Sequence, residues 1–271
     1  MLFNKKNILL QKKKLLQKKI NNLLLQKKIN NFINKKLIQK NNNNYNPNLN
    51  NIKYLLIMAC HCETNVKFNT ILNNMTFLDY SCIDKILINS TNTNYATQFL
   101  EICNNYKNTK YYEIENTTYL DFGKWLYVLE TLININDYDY IILKNDSFII
   151  HDNINHFFNL IYKNNTELYG YNDSTQDNYH YQSYLFSIKK KSVNKFIEKI
   201  KNPNVNIKTQ RDVIENFELS MTKWFNTCNV FLKIGNINIH KTLNIFFNND
   251  KLYIPLKKSG ILPFTKLKRI M

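Results

Sequence analysis

The sequence feature that most constrains the fold is an apolar run that ends abruptly in three polar residues. The run covers residues 138–143, holds aromatic, β-branched and leucine residues apart from Asp139, and leads through one lysine to Asn145, Asp146 and Ser147. Such a run is typical of a strand buried within a sheet. Ligands of open α/β sheets bind beyond the carboxyl ends of the strands, so Asp146 is the first candidate site residue. Taken alone, the three polar residues favour a simple turn.

Similar runs alternate with helix-length stretches along most of the chain. The predicted strands are Tyr54 to Cys60, Lys85 to Asn89, Lys110 to Ile114, residues 138–143, Glu167 to Tyr171 and His180 to Ile188. The predicted helices are Phe68 to Leu78, Thr93 to Asn105, a helix opened by Asp121, Ile154 to Tyr162, Ser192 to Lys201 and Arg211 to Phe225, and Asn172 to Asn178 is a predicted polar loop. This alternation predicts an α/β fold with a mostly parallel, Rossmann-like sheet flanked by helices.

The charge of the chain is concentrated at its N-terminus. The net charge is +17, yet residues 1–40 contain 12 lysines and no acidic residue, which leaves 25 basic and 20 acidic side chains in the rest. Leu-Leu-Gln-Lys-Lys occurs three times in this segment, which is compatible with a basic helix or with an unstructured, biased extension. Residues 1–40 are therefore compatible with binding to an anionic membrane surface or to an acidic partner. We predict an extension and linker over residues 1–51 and one domain over residues 52–271.

Cysteine content and apolar run length bear on the compartment. Five cysteines without a secretory signal favour reduced thiols and a cytoplasmic protein, with attachment to the periphery of a membrane left open by the basic extension. No apolar run approaches the ~18 residues that a membrane span requires. The sequence Cys60-His61-Cys62 is too tightly spaced for the usual zinc site.

Two further segments carry candidate site residues. Asp121-Phe122-Gly123-Lys124 opens a predicted helix, with Asp121 as its cap. The free backbone N–H groups of a helix start can also bind a phosphate, with Lys124 assisting. In the last predicted helix, Glu218 lies beside the apolar face.

The order of these motifs resembles that of the rhamnan synthesis protein F family, whose members are glycosyltransferase-like proteins of polysaccharide assembly. The motifs that carry the resemblance are Asp121-Phe122-Gly123, Asn145-Asp146-Ser147, His180-x-Gln182-Ser183-Tyr184, Glu218-Leu219 and Gly260-x-x-Pro263-Phe264. They cover about residues 52–270.

The resemblance implies a GT-A-like fold that binds a nucleotide-sugar donor at the carboxyl edge of the sheet. It implies that Asp146 holds a divalent cation, Mn²⁺ or Mg²⁺, on the donor diphosphate. It also implies that Glu218 is the base that activates the hydroxyl of a glycan or glycoconjugate acceptor, with inversion at the sugar. The remaining donor-binding or acceptor-binding candidates are Asp121, Lys124, Asn145, Ser147, His180 and Gln182. Because Asp146 is the one acidic residue of its motif, the need for a metal stays open.

Two other function classes remain at this point. One is a catalytically silent glycan-binding or scaffold protein with the same fold, which the single acidic residue favours. The other is a basic nucleic-acid-binding protein acting through residues 1–40. The body of the chain lacks a basic stripe with interleaved aromatics, so nucleic acid is the least favoured partner.

Overall fold

A computed structural model of the protein describes residues 13, 52–91, 95–150, 154–175, 177–233, 245–246 and 264–268. The chain divides into two compact units, Met1–Tyr45 and Asn46–Met271. The predicted basic helix of residues 1–40 lies outside the described residues apart from Lys13, and the linker lies outside them altogether. The predicted domain boundary at residue 51 stays a prediction.

The second unit is built from alternating strands and helices. Its described strands are β1 (Tyr54–Cys60), β2 (Ile83–Ser90), β3 (Thr109–Ile114), β4 (Tyr140–Asn145), β5 (Phe148–Ile150), β6 (Leu168–Ser174), β7 (His180–Tyr181), β8 (Leu185–Lys189), β9 (Cys228–Leu232), β10 (Ile245–Phe246) and β11 (Phe264–Lys268). Its described α-helices are α1 (Asn65–Asn74), α2 (Ala96–Asn104), α3 (Leu120–Tyr127), α4 (Asn155–Asn164), α5 (Val193–Ile200) and α6 (Gln210–Val213). Shorter 3₁₀ turns cover Thr76–Asp79, Ile135–Asp137, Lys190–Ser192 and Met221–Trp224, and π-helical turns cover Val128–Leu132 and Ile214–Glu218.

Eight of these strands form one mixed sheet in the order β3-β2-β1-β4-β8-β6-β7, with β9 also paired to β6. Strands β3, β2, β1 and β4 are parallel to one another. Strand β8 is antiparallel to both β4 and β6, so β4 and β6 run in the same direction. The described parts of β10, β11 and β5 form a second, small sheet. The predicted α/β class, with a central and largely parallel sheet flanked by helices, is confirmed.

The apolar strands form the centre of the sheet because both of its faces are covered. Every residue of β1 is buried, and β1 pairs with β2 and β4 on its two sides. On one face, the Trp125 ring of α3 lies 5.4 Å from the ring of Phe186 in β8. On the other face, the Tyr54 ring of β1 lies 6.5 Å from the Phe158 ring of α4. Strands buried on both sides read as continuous apolar runs, which is the pattern seen in the sequence.

An aromatic contact joins α3 to the late segment that carries Glu218. The Phe217 ring lies 5.1 Å from the ring of Phe122 and is stacked on the ring of Tyr119 at 5.7 Å. Phe217 itself is fully buried. The position of Glu218, the next residue, is therefore fixed relative to α3 by packing of its neighbour.

Three predicted elements are wrong in their details. The predicted strand from His180 to Ile188 is two strands, β7 and β8. The predicted loop from Asn172 begins inside β6, because Asp173 and Ser174 pair with β7. The predicted helix from Arg211 to Phe225 is divided into α6, a π-helical turn and a 3₁₀ turn.

The predicted cap of α3 is also wrong. Helix α3 begins at Leu120 after Tyr119, so Asp121 lies within the first turn and is not the residue before it. Leu120 has a φ of 54°, a left-handed conformation that turns the chain directly into the helix. A carboxylate in the first turn still interacts favourably with the positive end of the helix dipole.

Replacing Trp125 by alanine is expected to lower the free energy of unfolding by about 3–5 kcal/mol, because its fully buried ring lies in the core between α3 and β8. Tyr127→Ala is the matched control on the same helix, since Tyr127 is 40% exposed. Urea denaturation of both variants measures the difference. Equal losses in the two variants would contradict the packing described here.

Candidate functional site

The carboxyl ends of four strands meet at one edge of the main sheet. Strands β1, β2, β4 and β6 all run in the same direction, so their last residues lie along this edge. The buried polar residues gathered there are Asn89, Ser90, Asn145, Asp146, Asn172, Asp173 and Ser174. The predicted site motif Asn145-Asp146-Ser147 therefore lies where parallel sheets bind their ligands.

Asp146 is the centre of this edge and is only 6% exposed. Its Oδ1 accepts a hydrogen bond of 2.7 Å from the Lys67 ammonium, and its Oδ2 accepts one of 2.8 Å from the backbone N–H of His61. Burial on its own would raise the pKa of Asp146, but Lys67 and the His61 N–H together hold that pKa below its ordinary value. Asp146 is therefore a carboxylate at neutral pH.

Lys67 reaches Asp146 because of how α1 begins. Thr64 caps the helix, and its side-chain oxygen accepts a hydrogen bond of 3.1 Å from the backbone N–H of Lys67. This cap places Lys67 in the first turn of α1, directly after the end of β1. The ion pair between Lys67 and Asp146 thus ties α1 to the end of β4.

Two more lysines lie near Asp146, and both are almost fully buried. Lys124 of α3 is 2% exposed and lowers the pKa of Asp146 through its charge. Within the described part of the chain, the Lys124 ammonium makes no hydrogen bond or ion pair. Lys144 of β4 is fully buried and donates to Asn74 Oδ1 at 2.8 Å. Burial lowers the pKa of Lys144 to about 7, a shift that Cys60 and Asp146 oppose.

Asn145 and Ser147 shape the turn on either side of Asp146. Asn145 Oδ1 accepts hydrogen bonds from the Ser147 backbone N–H at 3.1 Å and from the Ser147 hydroxyl at 2.8 Å. These polar residues therefore form a turn and also lie at the candidate site. Their side chains hold Asp146 in place, and their predicted contact with a donor stays a prediction.

His180 and Gln182 form a second polar pair beside β6. The Nδ1 of His180 lies 2.7 Å from the Asn178 carbonyl, and its Nε2 lies 2.7 Å from the amide nitrogen of Gln182. Since a carbonyl only accepts and an amide NH₂ only donates, these contacts specify an imidazole protonated at Nδ1. Both ring nitrogens are thereby engaged within the protein, and the predicted contact of this pair with sugar hydroxyls stays a prediction.

Glu218 lies near Tyr184, a residue whose backbone contacts Asn145. Burial raises the pKa of the Tyr184 hydroxyl, and the nearby Glu218 carboxylate raises it further. The Tyr184 carbonyl in turn accepts a hydrogen bond of 3.0 Å from the backbone N–H of Asn145. Glu218 is partly exposed, so its carboxylate is open to solvent.

Sequence reasoning missed the two direct partners of Asp146. Lys67 carries no distinguishing signal in a chain with 37 lysines and arginines, although Thr64 three residues earlier is a recognisable helix cap. The sequence suggests His61 only as part of a metal motif, whereas it donates its backbone N–H to Asp146. Its ring Nδ1 lies 2.7 Å from Ser90 Oγ, which links the ends of β1 and β2.

The donor set around Asp146 does not fit the predicted divalent cation. Mg²⁺ and Mn²⁺ bind several oxygen ligands, but one Asp146 oxygen accepts from an ammonium and the other from a backbone N–H. In the residues that the structure describes, no three His, Cys, Asp or Glu side chains come together as a metal site. Lys67 and Lys124 also make the surroundings cationic. These residues fit an anion better than a metal ion.

A cavity of about 370 Å³ lies at the opposite edge of the sheet. It is lined by residues 129 and 133–136, which precede β4, and by residues 190, 191 and 194, which follow β8. These lining residues are apolar, asparagine or lysine, with no carboxylate among them. The cavity is therefore separate from the group of polar residues around Asp146.

Comparisons with known proteins give one sequence relative and several similar structures. No protein-family model matches the chain. Virulence protein VirA of Vibrio anguillarum is 36% identical over 122 residues, which are 42% of this chain. The match spans 38% of the length of VirA. The resemblance to the rhamnan synthesis protein F family stays a prediction.

Among solved structures, 4-diphosphocytidyl-2C-methyl-D-erythritol synthase from Anaerococcus prevotii has a TM-score of 0.47 at 10% identity, covering 69% of this chain and 89% of its own. The glycosyltransferase GlyE of Streptococcus pneumoniae has a TM-score of 0.45 at 12% identity, covering 66% and 45%. The galactosyltransferase LgtC has a TM-score of 0.41 at 8% identity, covering 65% and 72%. The α/β class of this chain follows from its own strand order.

Two further features concern the cysteines and the apolar character of the helices. All five cysteines are free thiols. Across the described ranges, no helix combines the length and the apolar character that crossing a bilayer requires.

Lys144→Met is expected to change how stability depends on pH. The unfolded lysine holds its proton up to about pH 10.4, whereas the folded one, with a pKa of about 7, releases it earlier. The unfolded state therefore binds more protons between these values, and this residue makes wild-type stability rise with pH. The free energy of unfolding of Lys144→Met, relative to that of the wild type, should be highest at about pH 6. Above about pH 7 this difference should decrease steadily as the pH rises.

Urea unfolding of both proteins across this pH range measures the effect. Lys199→Met is the matched control, because Lys199 is an exposed lysine on α5. A difference between Lys144→Met and the wild type that does not vary with pH would contradict the buried state of Lys144.

Proposed function

We propose that the chain is a glycosyltransferase that moves a sugar from a nucleotide-sugar donor to a glycan or glycoconjugate acceptor. The observation that carries the proposal is the cationic surround of Asp146 at the carboxyl edge of a Rossmann-like sheet. The side chain of Lys124 is 2% exposed, and its ammonium has no hydrogen-bond or ion-pair partner among the described residues, so the edge is suited to an anionic ligand. The diphosphate of a nucleotide-sugar is such a ligand.

The placement of Glu218 supports a transferase over a simple phosphate-binding protein. The Glu218 carboxylate is partly exposed and close enough to Tyr184 to act on its hydroxyl, and the Tyr184 backbone carbonyl accepts a hydrogen bond from the Asn145 N–H. An acceptor hydroxyl near Glu218 and a donor near Asp146 would then meet at neighbouring positions. The GT-A-like order of motifs in the sequence is consistent with this division of roles.

In the proposed reaction, Glu218 takes the proton of the acceptor hydroxyl. The acceptor oxygen forms a bond to the anomeric carbon, and the bond from that carbon to the diphosphate oxygen breaks. The nucleoside diphosphate leaves with the electron pair, and lysine ammonium groups stabilise its charge. Attack opposite to the leaving group inverts the anomeric centre.

The finer assignments are also part of the proposal. The motif order of the rhamnan synthesis protein F family supports a role in polysaccharide assembly. His180 and Gln182 are proposed to contact sugar hydroxyls, and Asp121 is proposed to act from the first turn of α3. The basic residues 1–40 are proposed to attach the protein to an anionic surface.

Binding of nucleotide-sugars by the full chain tests the proposal directly. Calorimetry against a panel of nucleoside diphosphates and their sugars is expected to find one nucleotide that binds with micromolar affinity. The expected product of transfer is then sought by mass spectrometry with glycan acceptors. Binding of glycans without any nucleotide would instead support the silent glycan-binding alternative.

Glu218→Gln is expected to lower kcat for transfer by about 10²- to 10⁴-fold, because an amide cannot accept the acceptor proton. Donor affinity should be unchanged, since Glu218 is assigned to the acceptor side. Glu215→Gln is the matched control in the same π-helical turn, where Glu215 pairs with Arg211 at 2.6 Å on the exposed surface. Turnover of Glu218→Gln at the level of the control would remove Glu218 from the mechanism.

A further inference from the structure

Lys67 forms an ion pair with Asp146, the carboxylate to which the sequence resemblance assigns a divalent cation. The Lys67 ammonium lies 2.7 Å from Asp146 Oδ1, and the side chains of Lys67 and Asp146 are 19% and 8% exposed. The other Asp146 oxygen is bonded to the His61 N–H. A metal ion bound to Asp146 would lie close to this ammonium, whose positive charge would repel it.

Lys67 retains donors for a ligand after it pairs with Asp146. An ammonium group has three N–H donors. Among the described residues, the Lys67 ammonium makes one hydrogen bond, to Asp146 Oδ1. Two donors therefore remain, on a side chain that is still partly open to solvent.

The balance of charge immediately around Asp146 favours an anionic ligand. Asp146 neutralises Lys67, but the buried Lys124 has no contacting anion in the described part of the chain. Its charge is nevertheless close enough to act on both Asp146 and Cys60. A bound diphosphate would give the Lys124 ammonium a hydrogen-bonded anionic partner.

We propose that this site binds the diphosphate of a nucleotide-sugar without a divalent cation, using Lys67 and Lys124 as the neutralising charges. The inference rests on the proposed function, which requires that diphosphate to bind here. In this arrangement Asp146 is a positioning residue: it fixes the ammonium of Lys67 and does not contact the substrate. Loss of the leaving diphosphate is assisted by two fixed cations that are part of the fold.

The test is calorimetric binding of UDP, GDP, ADP, CDP and dTDP to the full chain, with EDTA or with Mn²⁺. For the nucleotide that binds, EDTA should change the dissociation constant by less than about twofold, because no metal ion takes part. Lys124→Met should weaken binding about 10- to 100-fold, the loss expected for a charge-assisted contact. Lys199→Met, an exposed lysine on α5, is the matched control and should bind as the wild type does.

The role of Lys67 is tested with a variant that does not leave the Asp146 carboxylate buried and unpaired. The pair Lys67→Met with Asp146→Asn removes both charges, so that folding does not depend on an unpaired buried Asp146. This double variant should also weaken nucleotide binding about 10- to 100-fold, with or without Mn²⁺. Wild-type affinity in the double variant and in Lys124→Met would overturn the proposal.

The outcomes separate this inference from the proposed function. Nucleotide binding that is lost in EDTA and restored by Mn²⁺ overturns the metal-free site and leaves a nucleotide-sugar enzyme in place. No binding of any nucleotide under either condition overturns both. Binding that persists in EDTA and falls in the lysine variants supports both.

Discussion

The contact between Lys67 and Asp146 is the interaction on which the candidate site depends. It joins the first turn of α1 to the end of β4 and compensates a carboxylate that is almost fully buried. Removing one partner of such a pair leaves an uncompensated charge inside the protein, which is far more costly than losing a surface ion pair. The site is therefore part of the structure that holds α1 against the sheet.

The rest of the site is organised by packing around α3. Trp125 packs on β8, and Phe122 packs on Phe217, so one short helix contacts both the sheet and the late segment. Lys124 lies between these aromatic residues in sequence, and its position follows from theirs. Packing of uncharged aromatic residues thus positions Lys124 at the edge of the sheet.

Much of the fold could be predicted from the sequence, because the central strands are continuous apolar runs. The bounds of β1 agree with the prediction, and those of β3 differ by one residue. The division of β7 from β8 could not be predicted, since it depends on pairing with β6, a tertiary contact. The start of α3 was missed because a leucine with a positive φ has no sequence signal.

The sequence predicts a site residue only where a candidate functional side chain directly follows a strand. Asp146 was identified because it follows an apolar run and stands at the carboxyl end of β4. Its partner Lys67 is separated from it by 79 residues, and nothing in the local sequence of either residue points to the other. Buried lysines such as Lys144 were missed for a related reason, because a lysine after an apolar run resembles a strand terminus at the surface.

The π-helical turn Ile214–Glu218 sets the direction in which Glu218 points. A π-helical turn contains one residue more than an α-helical turn, and such turns are frequent at functional sites. Successive residues of an α-helix are rotated by about 100° around its axis, so the extra residue changes the angular phase of everything after it. In a regular α-helix, Phe217 and Glu218 would both leave the helix on a different side. The orientation of this carboxylate is thus encoded by the number of residues in one turn, and a single deletion there would redirect it without altering any charge.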